Sequence, residues 1–322
     1  MKLKLKPSPT QPIFASAHHY FDHLVETMNY PTFYRHFEED FTEVDGIKIH
    51  LEVINTHPEA PTLVFIPGTA IYGLCYSELL SKIAGKGFNV VTFDPRGHGQ
   101  SGGTRGDYTV AEIMRDAEQV VTYAIKRFNP EVSLMGSSQG GIVAFYLAAK
   151  DDRLRSVICQ NIADLSAPEA VQLSKNPLLF RYIRRVLTKR GHLLPKLQIP
   201  ISAYIDLDKM PVKHFGTARK FMEMDPYCLK SISLRALKSL AHSPMPKPVE
   251  QINTPILVMQ GTADHIFPVT YIQTLFNKLN GEKKLRLFEG RSHGLVHEEP
   301  EGVAEETATW MRQFAKIGSK SH

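Results

Sequence analysis

The stretch Glu131-Val132-Ser133-Leu134-Met135-Gly136-Ser137-Ser138-Gln139-Gly140 carries a short apolar run into a Gly-Ser-Ser-Gln-Gly turn, and Gly141 to Lys150 follows with helical character. Ser138 occupies the middle of G-x-S-x-G between a strand and a helix, the layout of a nucleophile elbow. A reversal this sharp forces the serine into a strained backbone conformation. Glycine is needed at 136 and 140, where a Cβ would collide with the neighbouring strand or helix. A helix starting at Gln139 also directs its free N–H groups and positive dipole end toward the serine hydroxyl.

Reading outward, Thr62–Ile66, Phe88–Asp94, Val132–Met135, Arg155–Gln160 and Pro255–Gln260 are short, continuous apolar runs, as expected of strands buried on both faces. Segments with helical spacing, Tyr76–Lys86, Val110–Phe128, Tyr271–Leu279 and Glu298–Phe314, alternate with them. The alternation predicts an α/β fold with a mostly parallel, doubly wound sheet. Phe41–Ile54 alternates apolar and polar residues on both sides of Asp45-Gly46, which predicts an antiparallel hairpin at the start of the sheet. Lys284–Phe288 reads as a further strand.

Two segments break the pattern. Residues 1–40 carry an aromatic series, including Phe14, Tyr20, Phe21, Tyr30 and Tyr34, and predict a helical extension packed on the body. Residues 163–248 show helical stretches and prolines but no convincing buried strand, and read as an inserted helical cap between core segments 41–162 and 249–322. The cap holds 15 Lys and Arg against 6 Asp and Glu, in a chain whose net charge is +5, so the remainder is mildly acidic. Within it Arg181, Arg184, Arg185, Lys189 and Arg190 alternate with Leu178, Leu179, Phe180, Ile183, Val186 and Leu187. This spacing suits a basic amphipathic helix, either lying on an anionic membrane surface or covering a site with its apolar side.

With 322 residues, 43% of them hydrophobic, the chain can bury a large core. Cys75, Cys159 and Cys228 are too few and too scattered for a disulfide framework or a cysteine-based metal site, and no H-E-x-x-H spacing occurs, so neither a metal nor a cofactor is expected. Pro7, Pro9 and Pro12 interrupt the region where a signal peptide would need an apolar run, and no segment approaches a transmembrane span. A cytoplasmic protein with no nucleic-acid partner is the expectation, with peripheral membrane contact through the basic cap left open.

A serine hydroxyl is a weak nucleophile at neutral pH and needs a histidine to take its proton and a carboxylate to orient that histidine. Asp264, in the loop after Val258–Gln260, and His293, in the loop after Arg286–Phe288, complete the order serine, acid, histidine. Asp164 is the rival acid and His297 the rival base; the Gly261–Pro268 loop favours Asp264, and the position of His297 at the start of the last helix suggests a surface residue. Adjacent His265 reads as structural. For a developing oxyanion, the backbone N–H of Gln139 is the first donor and that of Thr69, in the Pro67-Gly68-Thr69 turn, the second.

With these residues in place the chain resembles serine hydrolases of the α/β-hydrolase superfamily, in the branch of monoacylglycerol lipases, lysophospholipases and serine aminopeptidases. The resemblance covers about residues 41 to 316. Phe93-Asp94-Pro95-Arg96-Gly97-His98-Gly99-Gln100-Ser101 is similar to the family's D-x-R-G-x-G-x-S segment, which is structural there. It implies Ser138 as nucleophile, Asp264 as acid, His293 as base and Thr69 and Gln139 as oxyanion donors. Pro67-Gly68 departs from the His-Gly that many relatives carry. The expected activity is hydrolysis of a small-molecule or lipid ester. An aminopeptidase or amidase shares the acyl-transfer chemistry but needs carboxylates to bind a substrate ammonium, and a basic cap suits that poorly. A receptor that kept the fold and lost turnover is the third reading.

Overall fold

Thr62–Ile66 (β3), Asn89–Phe93 (β4), Val132–Ser137 (β5), Val157–Gln160 (β6) and Ile256–Gly261 (β11) are buried at every residue. Such runs need cover on both faces, and helices supply it. In the computed structural model, which describes residues 14–173, 185 and 194–315, these strands form the parallel centre of a larger sheet. With Glu38–Val44 (β1), Ile47–Ile54 (β2) and Lys283–Phe288 (β12) it has eight strands, in the order β1-β2-β4-β3-β5-β6-β11-β12. The pairs from β4 through β12 are parallel. β1 and β2 are antiparallel, and β2 joins the centre antiparallel to β4. Asp45 and Gly46 both take positive φ, 54° and 74°, as a two-residue hairpin turn requires.

The chain runs from β3 to β4 on one side and then returns to place β5 on the other side of β3. That reversal opens a crevice at the carboxyl ends of β3 and β5, the usual place for a site in an open α/β sheet. Helices Ser77–Ala84 (α2), Val110–Arg127 (α3) and Gln139–Ala148 (α4) connect these strands. Every residue of α4 is buried, which explains why its sequence is apolar all round. α3 begins at a T-x-x-E capping box, where Thr109 Oγ1 accepts from Glu112 N at 3.2 Å.

The core starts at Glu38 rather than at 41. Glu38, Glu39 and Asp40 pair with Val53, Glu52 and Leu51, and only an exposed edge strand tolerates such charges, so no apolar alternation marks its beginning. Ahead of it, Ala17–Met28 (α1) buries Tyr20, Phe21 and Leu24 against the body.

Residues 163–248 differ from the all-helical expectation. Helices Ala218–Met224 (α5) and Leu234–Ala241 (α6) occur alongside two small sheets, Gln198–Pro200 (β7) with Ser231–Ser233 (β10) and Pro211–Val212 (β8) with Gly216–Thr217 (β9). Strands of two or three residues are too short to leave a period-2 signature. Backbone bonds Leu229 N to Ala70 O and Ser233 N to Gly106 O, both 2.8 Å, tie this segment to the core. Of the basic amphipathic stretch, Arg185 is among the described residues, and Arg181, Arg184, Lys189 and Arg190 lie outside them. Among the described residues no helix is long and apolar enough to cross a membrane.

Candidate active site

β5 ends at Ser137, and Ser138 turns the chain with φ 55° and ψ −118° before α4 begins at Gln139. A non-glycine residue in that region is strained. The turn is held by backbone packed directly on backbone. A Cβ at Gly136 would meet Gly140 O, one at Gly140 would meet Ile66 O, and one at Gly141 would meet Gln160 O, all inside van der Waals contact. Ser138 N donates to Gln160 O at 3.0 Å, fixing the elbow to β6.

The loops after β11 and β12 are locked together by Ala263 N to Arg291 O (2.9 Å) and Thr262 N to Phe288 O (3.0 Å). This brings Asp264 and His293 face to face, with His293 Nδ1 2.9 Å from Asp264 Oδ2. A carboxylate only accepts, so Nδ1 carries the proton and Nε2 presents a lone pair. Ser138 Oγ lies 2.9 Å from that Nε2 and donates to it. The Phe267 ring lies parallel to the imidazole, with centroids 5.4 Å apart, and fixes its plane. Burial alone would raise the pKa of Asp264; the His293 charge and hydrogen bond, with the Phe267 and Ile266 N–H groups, outweigh burial and hold it below the ordinary carboxylate value. Those amides donate to Oδ1 at 3.0 and 2.7 Å.

The rival residues fall elsewhere. Asp164 spends its Oδ1 on Ser166 N, Ser166 Oγ and Ala167 N in its own turn. His297 is half-buried in the cavity wall rather than open to solvent: its ring stacks on Tyr76 at 4.9 Å, and desolvation lowers its pKa to about 4. It lies on the four-residue helix Leu295–Glu298 (α8), which follows Val269–Asn277 (α7) and precedes the last helix, Pro300–Phe314 (α9). His265 is exposed at the rim rather than packed inside. Thr69 and Gln139 sit side by side, Thr69 Oγ1 donating to Gln139 Oε1 at 2.9 Å. Tyr108 Oη donates to the same oxygen at 2.9 Å. Gln139 N, in the first turn of α4, has no acceptor within its helix. The Pro67-Gly68 turn approaches the elbow so closely that a Cβ on Gly68 would lie 3.4 Å from Ser138 Cβ. The Phe93–Ser101 segment braces this end of the sheet: Arg96 Nη2 reaches Asp116 Oδ1 at 2.6 Å, and Asp94 accepts from Gly73 N at 3.0 Å.

Residues 57–300 match the family model described as serine aminopeptidase, S33. The chain belongs to that hydrolase family. It is 27% identical over 285 residues to a monoacylglycerol lipase of Mycolicibacterium smegmatis, covering 85% of this chain and 96% of that one. It is 26% identical over 264 residues to a monoglyceride lipase homolog of monkeypox virus, covering 80% and 90%. The crystal structure of a Paleococcus ferrophilus monoacylglycerol lipase superposes with a TM-score of 0.67 at 24% identity, over 83% of this chain and 99% of that one. The family and its structural neighbours make the architecture an α/β-hydrolase fold in the monoacylglycerol lipase and serine aminopeptidase branch.

In this hydrolase a cavity of about 1090 Å³, including its open mouth, ends at Ser138 and His293. Its wall is mostly apolar, with Ile205, Leu207, Met210, Val212 and Phe221 from the inserted segment and Tyr30 from the N-terminal extension. A second opening, lined by Tyr204, Asp206, Lys209 and His265, also reaches His293. Sequence reasoning missed the supports beneath the site. Gln160 Nε2 donates to His293 O at 2.8 Å and its Oε1 accepts from Ser137 Oγ, while Asn161 Nδ2 donates to Asp264 Oδ2 at 3.2 Å. Two adjacent amide side chains closing an otherwise apolar strand were the available signal, since buried polar groups need partners.

Proposed function

We propose that the protein hydrolyses carboxylic esters joining an apolar acyl chain to a polar alcohol, monoacylglycerols and lysophospholipids being the closest class, through an acyl-enzyme on Ser138. The observation that carries this reading is the hydrogen-bonded series Ser138, His293, Asp264 at the end of an apolar cavity. Ser138 Oγ attacks the acyl carbonyl while its proton passes to His293 Nε2. The resulting oxyanion is held by the N–H groups of Gln139 and Thr69, and the imidazolium is stabilised by the Asp264 carboxylate. Collapse breaks the ester C–O bond, and the leaving alkoxide takes the proton from Nε2. Water then attacks the acyl-enzyme with His293 again as base, releasing the fatty acid and restoring Ser138. The apolar cavity suits the acyl chain and the polar opening suits a polyol or headgroup.

The aminopeptidase reading has less support. Among the described residues lining the apolar cavity, Glu78 is the one carboxylate, and Lys213 Nζ lies 3.5 Å from it. An ammonium would have to displace that lysine. A panel of p-nitrophenyl esters, monoacylglycerols, lysophospholipids and aminoacyl anilides tests the choice. Ester kcat/KM is expected to rise with acyl length, and aminoacyl anilides to be cleaved poorly; the reverse order would sink the proposal. A Val212→Trp substitution, which fills the cavity, is expected to lower kcat/KM for dodecanoyl esters by ~10-fold or more and to spare the acetyl ester. A single buried methylene is worth ~10-fold to 200-fold in such a pocket. Uniform loss across chain lengths would place the acyl chain elsewhere.

A further inference from the structure

At the β1-β2 edge of the sheet, α1, β1 and β2 bring His18, Glu39, His50 and Glu52 near one another. His18 Nε2 lies 3.0 Å from Glu52 Oε2, and His50 Nε2 lies 3.3 Å from Glu39 Oε1 and 3.6 Å from Glu52 Oε1. The donor atoms of His18, Glu39 and Glu52 all fall within 4.8 Å of one another. The order of strands puts this cluster three strand spacings from β5, about 14 Å away at ~4.8 Å per strand. It therefore takes no part in the chemistry proposed for Ser138.

We propose that His18, Glu39 and Glu52 form a binding site for one divalent transition-metal ion of zinc's class, with His50 beside them as a support rather than a ligand. Three observations point to an ion rather than to mutual pairing alone. Donor spacing is the first. Ligands at ~2.0–2.1 Å around a tetrahedral centre stand about 3.3 Å from one another; His18 and Glu52 are already 3.0 Å apart, and the three donor atoms lie close enough together to close on one ion. Orphaned capacity is the second: the Glu52 side chain is 1% exposed, yet its Oε1 has no hydrogen-bond partner and faces the cluster. A bare buried carboxylate oxygen is costly unless a cation satisfies it. The third is outer support. His50 donates from Nδ1 to Asp94 Oδ2 at 3.1 Å and from Nε2 to Glu39 Oε1 at 3.3 Å, which holds the Glu39 carboxylate in place. The Asp94 carboxylate is itself fixed by Gly73 N at 3.0 Å and Gln100 N at 2.8 Å. Hydrogen bonds from neighbouring side chains to a ligating carboxylate are the usual outer support of a metal site.

Charge agrees with this assignment. Three carboxylates, Glu39, Glu52 and Asp94, surround two imidazoles, and among the described residues no lysine or arginine pairs with any of them. One imidazole and two carboxylates, with a position open to water, suit zinc and its neighbours better than magnesium, which prefers six oxygens. Glu39 is 40% and His18 22% exposed, which leaves a route in from solvent. A bound ion would tie α1 to the hairpin, and α1 leads directly to Tyr30 in the cavity wall. None of this was visible as a motif, because His18 and Glu52 are 34 residues apart in sequence.

The test uses the full chain, stripped with EDTA and dialysed into metal-free buffer. Zinc chloride titrated calorimetrically should bind at one tight equivalent per chain and raise Tm, while magnesium at the same concentration should not. Cobalt(II) in its place should give the strong visible absorption of a tetrahedral centre. His18→Gln and Glu39→Gln should each weaken zinc binding by ~10-fold or more, and ester hydrolysis at 25 °C should be the same for the stripped and loaded enzyme. Glu39 lies on the exposed edge strand, so its variant reports even if the His18 variant does not fold. Absence of a tight equivalent in the wild type, or equal zinc affinity in the wild type and Glu39→Gln, overturns the proposal and leaves a cluster satisfied by protons alone.

Discussion

Ser138→Ala is expected to lower kcat for ester hydrolysis by ~10⁵-fold or more while Tm stays within a few degrees of wild type. The size follows from how a nucleophile, its base and their acid act as a unit: loss of the attacking atom costs about as much as loss of all three, and what remains is ground-state binding and the oxyanion donors. Stability is spared because Ser138 Oγ contributes one hydrogen bond, to His293, and alanine tolerates the φ of 55° no worse than serine does. A fluorophosphonate probe should label the wild type and leave the alanine variant unlabelled. Turnover within tenfold of wild type in a folded Ser138→Ala variant would remove the mechanism altogether.

Asp264→Asn carries the next largest effect, about 10⁴-fold in kcat. Asp264 Oδ1 accepts from the Ile266 and Phe267 amides, so in the variant the carbonyl oxygen stays there and the new NH₂ group takes the place of Oδ2. That group donates to His293 Nδ1, forces the imidazole proton onto Nε2, and removes the lone pair that takes the proton of Ser138. It also faces the Asn161 amide, donor against donor. Asp164→Asn serves as the control and is expected to change kcat less than threefold, because its carboxylate closes a local turn. The lowered pKa of Asp264 keeps its carboxylate charged throughout the neutral range. Its contribution to stability is thus present above the ordinary aspartate pKa and is lost only as pH falls through the depressed folded value. If Asp164→Asn were the more damaging change, the acid would have been assigned to the wrong strand.

What could be read from the sequence was whatever a short window encodes. The buried strands announce themselves as apolar runs, the hairpin as Asp45-Gly46, and the elbow as glycines spaced around Ser138. Asp264 and His293 stood out because each follows a strand-like run through a turn. What escaped was contact made only by folding. The edge strand from Glu38 carries charges, so nothing local separates it from the extension before it. Strands β7 to β10 are shorter than the period that would reveal them. His297 looks exposed in a helical window and is instead stacked on Tyr76, because α8 lies against the cavity. The side chains of Gln160 and Asn161, and of Tyr30, acquire their places only when β6 and the N-terminal segment close around the site.

The elbow is built of main chain pressed on main chain, whereas the cavity wall is built of side chains. Gly136, Gly140 and Gly141 accept no side chain at all, since each would have to displace a carbonyl of a strand or helix that cannot move alone. Any side chain at these positions is therefore expected to distort the elbow whatever the substrate. Residues such as Tyr30, Val212 and Phe221 can exchange one apolar shape for another at the cost of packing only. The physical expectation is that substitution changes what the cavity accepts more readily than the geometry at Ser138.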